Sequence, residues 1–190
     1  MQLTGRAESS VRPAVPADAA DIARVQRVTW RTAYRALLPA DALDAWDDDA
    51  AATAWRSAVE APPTPGHGVL VACEGSTVVG FLAHAPAELA PHEPRSPHGP
   101  AAELTALLVE PRWGRRGHGS RLLAAAVDLL EPVGVRDLRM WVPEEDRVTS
   151  GFLQSAGWAA DSWTRGLEAD GRTIRERRWH ALLAEDGDQA

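Results

Sequence analysis

The sequence predicts a mixed α/β (α+β) fold: a central sheet of about six to seven strands with helices on both faces. Three observations lead there. Apolar runs and helical stripes follow one another in the order β-αα-βββ-α-β-α-ββ, the pattern of layered sheet-and-helix domains. The stretch Leu104 to Val109 is a continuous apolar strand, as strands buried on both faces tend to be. A chain of 190 residues, 45% hydrophobic and 25% charged, has the size and composition for one sizeable core.

The elements follow in order. Residues 1–10 read as a flexible leader, 11–184 as the domain, and 185–190 as an acidic tail. Val11 to Val15 is a short strand. Asp18 then caps a helix carrying Ile22, Val25 and Val28 at helical spacing, extended by Trp30, Tyr34 and Leu38 until Pro39 breaks it. A second helical segment holds Leu43, Trp46, Ala54, Trp55 and Val59 and ends at Pro62-Pro63. Val69–Cys73 and Thr77–His84 flank Glu74-Gly75-Ser76 as a hairpin. Residues 85–101, rich in Pro, Ala and His, form a long loop, and long loops inside compact domains are often functional lids. The helix after Gly119 carries Leu122, Leu123, Val127 and Leu130 on one stripe. Val135–Val142 is a strand, Val148–Ala156 a short helix stopped by Gly157, and Trp158–Arg165 with Arg172–Leu183 a closing strand pair.

Composition excludes several classes. No apolar run approaches the roughly 18 residues that a membrane-spanning helix needs. The N-terminus lacks the basic-then-apolar order of a secretory signal, so a cytoplasmic location is expected. A lone Cys73 forms no internal disulfide and no cysteine metal cage. All twenty basic residues are arginine, which removes lysine Schiff-base chemistry and the P-loop lysine. With a net charge of −7 and no basic stripe beyond one loop, nucleic acid is not an expected partner.

That loop carries the chemistry. Arg112-Trp-Gly-Arg-Arg-Gly-His-Gly-Ser-Arg121 leads from the apolar strand into an amphipathic helix. Helix N-termini expose unpaired backbone N–H groups and partial positive charge, which normally attract Asp or Glu. Here the turn holds Arg112, Arg115, Arg116 and Arg121 instead. Backbone donors, a dipole and guanidinium groups converge on a seat for a phosphate-rich ligand. A dinucleotide fingerprint fits poorly, because Leu122 occupies the place of its third glycine.

The element order, with this loop in this place, resembles the GNAT superfamily of acyl-CoA-dependent N-acyltransferases from roughly Val11 to Leu183. Members carry Gln/Arg-x-x-Gly-x-Gly/Ala at this turn; Gly117 and Gly119 supply the glycines, and Gly114 departs at the Gln/Arg position. The resemblance implies acetyl-CoA as co-substrate, no metal, no membrane partner, and a subunit that pairs as a homodimer in many relatives. It implies that backbone groups of Leu107, Leu108 and Val109 pair with the pantetheine arm. The amides of Arg115, Arg116, Gly117, His118, Gly119 and Ser120 would hold the pyrophosphate. Transfer to a primary amine of a small molecule or peptide, by direct attack, would need a base, and Glu103 is the candidate, with His84 second. Trp30, Tyr34 and His84 are the residues expected to line the acceptor site.

Two positions depart from the family's second patch, Trp141 to Trp158. Asp146 stands where Asn is usual, and Leu153 stands where a Tyr commonly protonates the leaving thiolate. Water, Ser150 or Ser155 would then supply that proton. The alternative is a catalytically lapsed acyl-CoA-binding regulatory module. Asp47, Asp48, Asp49, Glu88 and Glu93 would suit a cationic acceptor, although such acids are more often simply solvated.

Overall fold

A computed structural model of the protein describes residues 9–35, 43–90, 92–169 and 172–183. Within them lie β1 (Ser9–Pro13), α1 (Ala19–Ala33), α2 (Asp48–Glu60), β2 (Gly68–Glu74), β3 (Thr77–Pro86) and β4 (Ala101–Val109). Then follow α3 (His118–Leu130), β5 (Asp137–Pro143), α4 (Arg147–Ser155), β6 (Ala159–Ala169) and β7 (Arg172–Leu182). The seven strands form one mixed sheet in the order β1-β2-β3-β4-β5-β7-β6. The predicted fold class holds.

The chain divides into two compact units, residues 1–83 with 106–126, and residues 84–105 with 127–190. In the first, β1 pairs antiparallel with β2, from Ser9 opposite Glu74 to Pro13 opposite Leu70. Ser9 and Ser10, read as leader from the sequence, are therefore strand; residues 1–8 lie outside the described residues, as do Leu38, Pro39 and the tail from Glu185. Helix α1 buries Ala19, Ile22, Ala23, Val25 and Thr29, a stripe of helical period. Ile22 and Val25 meet Val71, Cys73, Val78, Phe81 and Leu108 in one core cluster.

The second helical segment is interrupted where one helix was expected. Asp47 has extended backbone and accepts the amides of Asp49 and Ala50 at 2.9 and 3.0 Å, so α2 starts afresh there. Asp48 and Asp49 occupy its first turn, where the helix dipole favours acids. Asp48 also accepts from the Trp46 indole and lies 3.1 Å from Arg27. These acids serve the helix start, which accounts for them without an acceptor.

Strands β3 and β4 approach very closely at Gly80. A Cβ there would lie 2.8 Å from the Leu108 carbonyl oxygen and 3.3 Å from Val109 Cα, both backbone atoms that cannot swing aside. Gly80→Ala should therefore cost about 1–3 kcal/mol by overpacking, read as a lower urea midpoint with unchanged slope.

In the second unit β4 runs parallel to β5 over only three pairs, Ala101 with Asp137, Ala102 with Leu138 and Glu103 with Arg139. β5 pairs antiparallel with β7 along its whole length, and β7 with β6 around an irregularity between Ala160 and Thr164. The long loop is shorter than read, because β3 continues to Pro86 and β4 begins at Ala101. It is also pinned. The Glu93 side chain, 4% exposed, lies 2.8 Å from Arg139 and 2.6 Å from Arg178 and accepts the Ala90 amide. Breaking such a buried set leaves uncompensated charge, so Glu93 holds the loop on β5 and β7.

Candidate active site

The turn between β4 and α3 is built from its first residue upward. Glu110 follows β4 directly; its amide donates to Val79 O at 2.9 Å, and its carbonyl accepts from Trp113 N at 2.8 Å. Its carboxylate is buried and meets Arg24 at 2.7 Å and Arg112 at 2.6 Å. Pro111–Trp113 make one 3-10 turn, closed by Gly114 N to Pro111 O. The next amide with a described partner is Arg121, bonded to Gly117 O at 3.0 Å. Among the described bonds, the six amides from Arg115 to Ser120 have none.

Backbone angles explain why these amides converge. Arg115 has φ +60° and Gly117 φ +81°, with an ordinary residue between them. Alternating left- and right-handed residues turn successive N–H groups to one side and make an anion-binding concavity. Glycine takes the left-handed form freely, whereas at Arg115 it carries strain, which the fixed neighbours must hold. The arginines around the turn are partly committed within the protein. Arg116 stacks 4.7 Å from the Trp113 ring centroid, and Arg121 Nη1 donates to the Arg116 carbonyl at 3.0 Å.

His118 departs from its sequence reading in one respect. Its backbone opens α3 as expected, but its side chain is 1% exposed and turned inward. Nε2 lies 3.3 Å from Glu74 Oε2, which already accepts from Ser9 Oγ at 2.6 Å, and neither ring nitrogen completes a hydrogen bond. Burial pushes the imidazole pKa down, Glu74 pulls against that, and Arg121 and Arg116 add to the lowering. A histidine with a lowered folded-state pKa binds its proton more readily when unfolded. Stability is thus full above the free value, about 6.5, and falls as pH drops through it. His118→Gln should flatten that acid-side loss in urea melts taken between about pH 7 and pH 5.

β4 supplies the other predicted residues. Leu107 and Leu108 are buried and Val109 is half-buried. The described β4–β5 register ends at Glu103, so the backbone edge of Leu107 to Val109 lies outside it. The strand begins at Ala101 rather than Leu104, so Glu103 is its third residue, half-buried beside Arg139 in the register. Burial pushes its carboxyl pKa up; Arg165 and the Trp141 indole pull it back, while Glu176 and Glu88 push it up further. Arg165 itself stacks 4.6 Å from the Trp141 ring and pairs with Glu176 at 2.6 Å. His84 is buried on β3.

Trp30 and Tyr34 are half-buried against the core cluster, and Trp30 meets Trp46 edge-on at 5.3 Å. Asp146 caps α4, accepting the amides of Val148 and Thr149 and the Thr149 hydroxyl at 2.7 Å. Leu153 is wholly buried. Ser150 and Ser155 donate their hydroxyls to the carbonyls of Asp146 and Phe152 at 2.8 and 2.7 Å. Sequence reasoning missed Glu110 and its partner Arg24. An acid closing an apolar strand was the one local sign of the first; the second lies 86 residues away.

An amide-lined turn at a helix start, directly after a buried apolar strand, is a site class suited to a phosphate-bearing ligand. Comparison with known proteins then gives the family. Residues 27–158 match the Acetyltransferase (GNAT) family, and the chain belongs to it. An uncharacterized N-acetyltransferase, YuaI, of Bacillus subtilis (strain 168) is 30% identical over 138 residues, 72% of this chain and 73% of that protein. The fold is similar to that of the PaiA N-acetyltransferase from Thermoplasma acidophilum in complex with coenzyme A. The TM-score is 0.70 at 16% identity, covering 93% of this chain and 99% of that one. It is also similar to YncA, a putative acetyltransferase from Salmonella typhimurium with acetyl-CoA, at TM-score 0.65 and 16% identity over 94% and 96% of the two chains.

Proposed function

We propose that this GNAT acetyltransferase moves an acetyl group from acetyl-CoA to a primary amine of a small molecule or peptide by direct attack. The run of amides 115–120, left-handed at Arg115 and Gly117 and helical from His118, carries the reading, since a turn of this kind at a helix start offers donors to a diphosphate. The crystallised relatives that hold coenzyme A or acetyl-CoA agree with it. In this reading the backbone of Leu107–Val109 pairs with the pantetheine arm, and an amide near Leu108 polarises the thioester carbonyl.

Glu103 is the base. An alkyl amine titrates near 10, so at neutral pH it needs a proton acceptor before it can attack. The raised carboxyl pKa of Glu103 brings it toward the useful range. Glu103 takes the ammonium proton and passes it to solvent; the neutral nitrogen then bonds to the carbonyl carbon, its second proton goes to Glu103, and the carbon–sulfur bond breaks. The thiolate leaves and takes a proton from water, because the Ser150 and Ser155 hydroxyls are already given to helix carbonyls. Trp30, Tyr34 and His84 line the acceptor side.

The buried Leu153 favours the competing reading, an acyl-CoA-binding module without turnover. Thiol release from acetyl-CoA, measured against a panel of amines, separates the two. Amine-dependent release supports the transferase; tight CoA binding with no release on any amine establishes the module.

A further inference from the structure

We infer that Arg24 is a positioning residue for the diphosphate turn, acting through the buried carboxylate of Glu110. The inference rests on the reading that this turn binds coenzyme A.

The geometry is a relay from helix to turn. Arg24 projects from α1 and uses both ends of its guanidinium. Nη1 donates to Glu110 Oε2 at 2.7 Å, and Nη2 donates to the Val78 carbonyl at 2.7 Å. Its Nε meets Asp21 at 3.2 Å, which fixes the fork's orientation from the same helix. Glu110 stands between the two parts of the proposed donor site, directly after Val109 and five residues before Arg115. Its side chain is 6% exposed, whereas that of its other partner, Arg112, is 65% exposed. Arg24, at 28%, is therefore the better shielded cation.

A carboxylate so buried is costly unless it is paired in a fixed geometry. The pairing consequently dictates where Glu110 sits, and the Glu110 amide and carbonyl bonds carry that placement into β3 and the Trp113 turn. Arg115 is held left-handed only two residues beyond that turn. An outlier of this kind persists where its surroundings over-determine it. Loosening Glu110 should let the Arg115 backbone relax and the amides diverge. The same helix bears Trp30 and is followed directly by Tyr34, so in that reading the acceptor-side helix and the donor turn share one ionic tie.

Calorimetric titration of coenzyme A tests this without knowledge of the acceptor. The proteins are wild type, Arg24→Met, Arg24→Lys, Glu110→Gln and the double variant Arg24→Met/Glu110→Gln. Arg24→Met should weaken binding about tenfold while the stoichiometry stays near one. Lysine, a single ammonium, can meet the carboxylate but cannot also present a fork to Val78, so Arg24→Lys should fall between. The double variant should lose less than the two single losses combined, because both act through one contact. If Arg24→Met does not fold, Arg24→Lys and Glu110→Gln carry the test. An unchanged dissociation constant, or a reduced stoichiometry at unchanged affinity, would mean a purely structural ion pair and overturn the inference. Wild type that fails to bind coenzyme A overturns the diphosphate reading itself, and this inference with it.

Discussion

Gly119→Glu is expected to abolish coenzyme A binding while leaving the fold as stable as before, or slightly more so. Gly119 is the second residue of α3. An acid in a helix's first turn is favoured by the dipole by about 0.3–1 kcal/mol, so the substitution should not unfold the protein. Toward a diphosphate the sign reverses. Two unit charges about 4 Å apart repel by about 4 kcal/mol at an effective dielectric of 20, roughly a thousandfold in affinity. The added side chain also fills space that the backbone must leave clear for phosphate. Calorimetry with coenzyme A, beside a thermal melt, reads both effects at once. Full affinity in a stably folded variant would place the diphosphate elsewhere and remove the main support for the transferase assignment.

Glu103→Gln is expected to lower turnover by about 10²–10⁴-fold, the usual contribution of a general base, and to flatten the rise of rate with pH. The sign follows from the environment. Burial raises the carboxyl pKa, so the active, ionised form accumulates only as pH climbs through that raised value. Glutamine cannot titrate, and the limb that reports this carboxyl should vanish. Stability moves the opposite way. A carboxyl whose folded-state pKa is raised binds more protons when folded, so its ionisation weakens the fold as pH rises. Removing the charge should therefore make Glu103→Gln at least as stable as wild type at neutral pH. An unchanged rate–pH profile, measured on whichever amine supports thiol release, would exclude Glu103 as the base.

Much of the candidate site was legible locally because its information is local. Gly117 and Gly119 next to four arginines at a strand-to-helix turn signal close backbone approach and convergent donors without any tertiary knowledge. The α1 stripe and the apolar β4 run are likewise written in spacing alone. Errors gathered where a competing local signal was subtle. A new helix starts after Asp47 because that side chain satisfies two amides at its N-terminus. The apolar pattern continues through that break and hides it. The Pro- and Ala-rich stretch before β4 reads as a long loop of the kind that often serves as a lid, yet Glu93 inside it is tied to two arginines from distant strands.

By itself the sequence determined the order of elements, the helix faces and the glycine- and arginine-rich character of the β4–α3 turn, since each depends on residues within a few positions of one another. Tertiary structure alone decided which charges are buried and which partners they take. Glu110 met Arg24 from α1, His118 turned inward toward Glu74, and burial raised the pKa of Glu103 against the pull of Arg165. The physical reason is that desolvation and pairing depend on distance through space, and the strands and helices that set those distances are separated by tens of residues along the chain.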